Sequence, residues 1–209
     1  VFDELLIMRY FFFLSALIIV FSCTDANKKA EVQKKLIQIV LFQPLQFSDT
    51  ATLFVLKDSI EQFYPVTVII SPNKQFPDHI YYKPGKRYRA DRIIRWLNLN
   101  KPDSVRSVVG ITAMDVSTTK NNMYDYGVMG LGYHPGHACV VSTFRPAKTA
   151  KNKEHLRQRL LRLVIHEMGH NFNLPHCPDE QCFMVDAEGQ MKLDKEKYLC
   201  SSCKKKLKI

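Results

Sequence analysis

Three imidazoles and one carboxylate fall within eleven residues, at His166, Glu167, His170 and His176. His166 and His170 are four apart, so on a helix they stand one above the other on the same face. His176 cannot continue that face, because Pro175 before it prevents further helix. The chain must therefore leave the helix and turn back at Asn173, since asparagine is second only to glycine in accepting the left-handed conformation that ends a helix. Three protein ligands leave one position on a zinc ion open for water, which separates a catalytic site from a closed structural one. Zinc lowers the pKa of that water toward neutrality, and Glu167, next to the first ligand, can take its proton.

A second ligand set begins at once. Cys177 and Cys182, then Cys200 and Cys203, form C-x4-C and C-x2-C pairs with seventeen residues between them. Four thiolates in two close pairs read as a closed tetrahedral zinc site, with two disulfides as the alternative. Because Cys177 directly follows His176, a metal at the cysteines would also fix the backbone that carries the third histidine.

The run HEMGHNFNLPHC-x4-C-x-M, with its later C-x2-C, resembles the archaemetzincins, a metzincin-related family of zinc peptidases. The specific motif covers about residues 166–203, and Gly132 through Pro146 resembles the family more loosely. The resemblance implies that His166, His170 and His176 hold a catalytic zinc and that Glu167 serves as general base and acid. It places Met184 in the methionine turn beneath the metal. It assigns Cys177, Cys182, Cys200 and Cys203 to a structural zinc, making two zinc ions per chain. The family usually carries glycine where Asn173 stands.

The elements that must position these groups follow from the rest of the chain. Asn152 is placed to cap the helix bearing His166 and His170, with Leu156, Leu160, Leu163 and Val164 toward the core and Arg157, Arg159 and Arg162 toward solvent. Leu36–Phe42, Val66–Ile70 and Val105–Ala113 read as strands, the first closed by Pro44. A helix capped by Ser48 or Asp49 follows the first, with Leu53, Leu56, Ile60 and Phe63 on one face. Another runs near Ala90–Leu97, where Trp96 reads as core. Strands alternating with helices predict a largely parallel sheet. Gly127–Tyr133 is the candidate edge strand that would hold an extended substrate by main-chain hydrogen bonds, with a plain glycine-rich connection as the alternative. His134 and His137 read as surface residues and Cys139 as a buried small hydrophobe. Leu193–Leu199 is expected to form a turn or two of helix. The fold class is α+β: a zincin-like, metzincin-type domain over residues 32–209, with a mixed, largely parallel sheet, an active-site helix and a small zinc-stapled C-terminal subdomain.

Ahead of that domain, Met8-Arg9 and the apolar run Tyr10–Phe21 have the length of a signal-peptide core and are short for a membrane span. Residues 1–22 are expected to be a leader, with translation starting at Met8. Val20-Phe21-Ser22-Cys23 resembles a bacterial lipobox, which implies a lipid on Cys23 and a tether over 23–31, with ordinary cleavage or retention as an anchor as the alternatives. These features predict export from a bacterial cell and attachment to a membrane, facing the periplasm or the cell surface.

Composition narrows the functions. The chain is 46% hydrophobic and 24% charged, enough for one good core, and its six cysteines are too few for a disulfide scaffold at this length. A formal charge of +10 beside a four-cysteine site invites a zinc-ribbon nucleic-acid-binding module. The export segment and the lack of an aromatic-basic RNA motif argue against it, and Lys204, Lys205, Lys206 and Lys208 read as a solvated tail. The expected function is zinc-dependent hydrolysis of peptide bonds in a peptide or protein substrate by a monomer. A catalytically latent zinc protein that binds peptides is the alternative.

Overall fold

The computed structural model describes residues 35–41, 50–71, 74–188 and 190–207. The expected leader, tether and Cys23, the proposed caps Ser48 and Asp49, and Phe42 and Pro44 lie outside the described residues. In chain order the elements are β1 (Lys35–Leu41), α1 (Thr50–Phe63), β2 (Val66–Ile70), β3 (Tyr81–Tyr82), β4 (Arg87–Arg89), α2 (Ala90–Leu99), β5 (Val105–Thr112), β6 (Val116–Lys120), β7 (Met123–Val128), β8 (Gly130–Gly132), β9 (Ala138–Ser142), α3 (Phe144–Ala147), α4 (Lys153–Asn171) and α5 (Ser201–Lys206).

The larger sheet has the order β2-β1-β5-β9-β8. Its first four strands are parallel and β8 is antiparallel to β9, so the sheet is mixed and largely parallel, as the alternation of strands and helices predicts. Both faces are covered, and strand periodicity sorts the side chains between them. Ile37, Ile39, Val109, Ile111, Cys139 and Val141 face a core completed by Leu56 and Ile60 of α1 and Leu160 and Val164 of α4. Val40, Val108, Val140 and Ala138 point the other way, onto Ile93, Ile94 and Leu97 of α2. Trp96 is partly buried against this second cluster.

A second sheet, β3-β4-β6-β7, is not anticipated by the sequence reading. Its signal was present: Val116–Lys120 and Met123–Val128 flank Asn121-Asn122, whose φ angles are 48° and 64°. That is the left-handed pair demanded by a two-residue hairpin turn. The expected edge strand over Gly127–Tyr133 accordingly divides, with Gly127 in β7 and Gly130–Gly132 forming the edge of the larger sheet.

Two further expectations are corrected. Arg159 is 3% exposed rather than turned to solvent. Its guanidinium donates to both carboxylate oxygens of Asp194, at 2.8 and 2.6 Å, and to the Pro146 carbonyl at 2.7 Å. Leu193–Leu199 forms no helix, because its backbone pairs with residues 181–183 instead of with itself. Lys197 N–H donates to the Gln181 carbonyl and Phe183 N–H to the Tyr198 carbonyl, each at 2.8 Å. The helical turns come later, in α5, where the Cys200 sulfur accepts the Cys203 amide at the N-terminus. Among the described residues no helix is long and apolar enough to cross a membrane.

Candidate active site

Helix α4 begins where Asn152 accepts the His155 amide at 2.8 Å, and packs through Leu156, Leu160, Leu163 and Val164. Its last two turns present His166 and His170, whose Nε2 atoms are 3.1 Å apart. The helix stops in the expected way: Asn173 has φ 70°, its amide bonds to the His170 carbonyl and the Leu174 amide to the Gly169 carbonyl, both at 2.9 Å. This pair of bonds is the Schellman arrangement. The chain then doubles back, and the ring of His176 comes within 4.8 Å of the His170 ring and 5.5 Å of the His166 ring.

The imidazoles are oriented as well as gathered. His166 Nδ1 donates to the Phe183 carbonyl at 2.6 Å and His170 Nδ1 to the Leu174 carbonyl at 2.8 Å, which leaves both Nε2 atoms free as acceptors. His176 Nδ1 lies 3.4 Å from an oxygen of Asp186, a partner the sequence reading missed. One ligand nitrogen from each ring fits within a 4.8 Å spread. Zinc–nitrogen bonds of about 2.0–2.1 Å would set tetrahedral ligands about 3.4 Å apart, so the donor set suits a cation. Burial, with the nearby His170 adding to it, holds the His166 pKa down to about 3. Burial likewise lowers His170 to about 4, so both rings are neutral, and able to ligate, at physiological pH.

Glu167 is 6% exposed and lies between α4 and β8. Burial raises its pKa to about 8, opposed by the Gly132 N–H that donates to it. The fit is close: a Cβ on Gly130 would stand 2.5 Å from Glu167 Oε1, and one on Gly132 would stand 2.6 Å from the Glu167 carbonyl. Only glycine lets β8 approach the helix here. Asn171 bolts the following loop down, donating to the carbonyls of Tyr133 at 3.2 Å and Ala138 at 3.1 Å while accepting from Ser107. His134 and His137 are exposed, and Cys139 is fully buried, as expected.

The four cysteines also come together. Cys177 and Cys200 sulfurs are 3.7 Å apart and those of Cys182 and Cys203 3.8 Å apart, all four free and within 4.8 Å of one another. Four thiolates about 2.3 Å from a zinc ion would be about 3.8 Å apart, so this set fits a closed tetrahedral site. The Cys203 amide holds the Cys200 thiol down to about 7. Met184 is fully buried, its sulfur against Gly169 of α4. Beside the histidines opens a cavity of about 610 Å³, bordered on one side by β8 and on the other by residues 185–196.

A model of peptidase family M54 matches residues 52–209. The archaemetzincin of Haloquadratum walsbyi is 30% identical over 152 residues, covering 69% of this chain and 84% of that protein. The archaemetzincin of Halobacterium salinarum is 28% identical, covering 70% and 86%. The crystal structure of the Methanopyrus kandleri archaemetzincin superposes with a TM-score of 0.71 at 24% identity, covering 83% of this chain and 93% of that one. At that identity the structural likeness speaks to the fold.

Proposed function

Since the chain belongs to peptidase family M54, the archaemetzincins, and is thereby a zinc metallopeptidase, we propose that Glu167 is its general base and acid in peptide-bond hydrolysis. His166, His170 and His176 would hold the catalytic zinc, and Cys177, Cys182, Cys200 and Cys203 a second, structural one. Zinc at the histidines supplies a Lewis acid for the scissile carbonyl and lowers the pKa of water.

The observation that carries the reading is the position of Glu167, walled between the histidine cluster and an edge strand, beside an open cleft. Its carboxylate takes the proton of the attacking water and returns it to the leaving amine. A cation held by the neighbouring neutral imidazoles would favour the ionised form that the first of these steps requires. The Gly132 N–H aims the carboxylate. The edge of β8, joined by no further strand among the described residues, offers backbone groups other than the Gly132 N–H to an extended peptide, a mode of binding with little dependence on side chains.

The test is cleavage of a mixed peptide library by the zinc-loaded chain beside Glu167→Ala. Cleavage by the parent, reduced about 10²–10⁴-fold in the variant, is the expected outcome. Cleavage by neither, with zinc confirmed at both sites, would point to a latent site that binds peptides without cutting them, and equal cleavage by both would remove Glu167 as the base.

We further propose export and a lipid at Cys23, a reading supported by the residues of the expected leader alone. Mass spectrometry of the membrane fraction decides this: an unmodified Cys23 rules lipidation out.

A further inference from the structure

We propose that Glu196 makes the cleft a receptor for a basic side chain, so that the enzyme prefers lysine or arginine beside the scissile bond. The inference rests on the peptidase reading and deepens it.

Glu196 lines the same cavity as the three histidines, yet it is 2% exposed. Its Oε2 is buried with no hydrogen-bond partner among the described residues. A buried carboxylate oxygen without a partner is costly, and such a group persists where something else completes it. Burial pushes its pKa up to about 7, with Arg162 only partly offsetting this.

The cations nearby are engaged elsewhere. Arg162 donates to the Leu193 carbonyl at 2.9 Å. Arg145, across the cavity, gives two bonds to Asp115, at 2.9 and 3.1 Å. Lys120 sits 5.2 Å over the Tyr126 ring. Arg162 acts on Glu196 through its charge alone, and no cation among the described residues bonds Oε2, so a basic group entering the cleft would complete it.

The neighbouring walls define its shape. Leu163, one helical turn before His166, lines the cavity together with Met191 and Leu193. Apolar walls leading to one carboxylate complement a side chain with an aliphatic stem and a charged head, which describes lysine and arginine. A free α-amine carries the same charge without the stem, and would leave the apolar walls uncovered.

The experiment uses the zinc-loaded full chain and N-acetylated peptides that differ only beside the scissile bond, carrying Lys, Arg, norleucine or citrulline. In the parent enzyme kcat/KM should favour Lys and Arg over their neutral partners by about tenfold or more, the size of a charge-assisted hydrogen bond. In Glu196→Gln that ratio should collapse to within about threefold of unity. Binding of the Lys and norleucine peptides by calorimetry, on the Glu167→Ala background with and without Glu196→Gln, should show the same preference and its loss.

A parent ratio near one, or a ratio that survives Glu196→Gln, overturns the proposal. So does a basic preference that appears only with free N-termini, which would assign the charge to the α-amine. Cleavage without the ratio leaves the peptidase standing and removes this inference alone. Binding selectivity without any cleavage does the reverse. If Glu196→Gln fails to fold by circular dichroism, Glu196→Met serves as the uncharged variant of similar volume, and the parent ratio still decides the matter.

Discussion

The Cys177 amide donates to the Met184 carbonyl at 2.8 Å, and that bond joins the two ligand clusters. Cys177 follows His176 in sequence, and Phe183, next to Met184, accepts from His166. Three adjacent residues, Cys182, Phe183 and Met184, thus belong to the thiolate cluster, hold the first histidine and bond the segment that carries the third.

Removing one thiolate should therefore be felt at the histidines. Cys200→Ser is expected to lose the structural zinc and to weaken the catalytic one by about tenfold or more, the usual reach of a supporting contact. Metal content by mass spectrometry, followed across a chelator titration, checks this. Unchanged occupancy at the histidines would break the proposed coupling.

Gly132→Ala should injure the site without touching a ligand. The added Cβ would meet the Glu167 carbonyl at 2.6 Å, and a backbone atom has little room to yield. The strand must lift from α4, costing about 1–3 kcal/mol of stability and about 10- to 100-fold in kcat through misplacement of Glu167. Thermal melts and steady-state kinetics measure the two separately.

Asp186→Asn removes the charge that stands 3.4 Å from His176 Nδ1. His176 is exposed and Asp186 only half-buried, so the fold should tolerate the change. Zinc affinity at the histidines should fall by about 10-fold, read by competition with a chromophoric chelator. An unaltered affinity would mean that Asp186 does not orient the ring.

Stability should decline in acid through Asp194. The Arg159 guanidinium holds its carboxyl well below the usual carboxylate range, with His155 adding to the effect. The folded pKa is lowered, so the contribution is fully present above the unfolded value of about 4 and is lost as pH falls through the folded one. Urea midpoints between pH 7 and 2 should drop on the acid side, and Asp194→Asn should flatten that limb. Because Asp194 is partly exposed, salt should shrink the difference.

The ligands were legible in the sequence because their chemistry is local. His166 and His170 are tied by helical spacing, and the turn at Asn173 by left-handed propensity, so residue types alone bring two imidazoles together and send the chain back toward them. The core strands were legible for a similar reason: Ile37, Ile39, Val66, Val68, Val109 and Ile111 belong to short runs rich in β-branched residues, which suits strands buried on both faces. Arg159 was misread because a helical wheel knows nothing of Asp194, thirty-five residues on, or of the Pro146 carbonyl. The stretch 193–199 was misread because its backbone finds partners at 181–183, and local propensity cannot see them.

By itself, then, the sequence determined which atoms can bind a metal and how the helix that carries two of them begins and ends. The tertiary structure decided where the catalytic carboxylate lies, through the approach of Gly130 and Gly132 to Glu167. It also decided which carbonyls orient the histidines and that Glu196 is buried at the cleft. These relationships join residues far apart in the chain. Burial and hydrogen-bond pairing at such separations arise only when the packed elements enclose them.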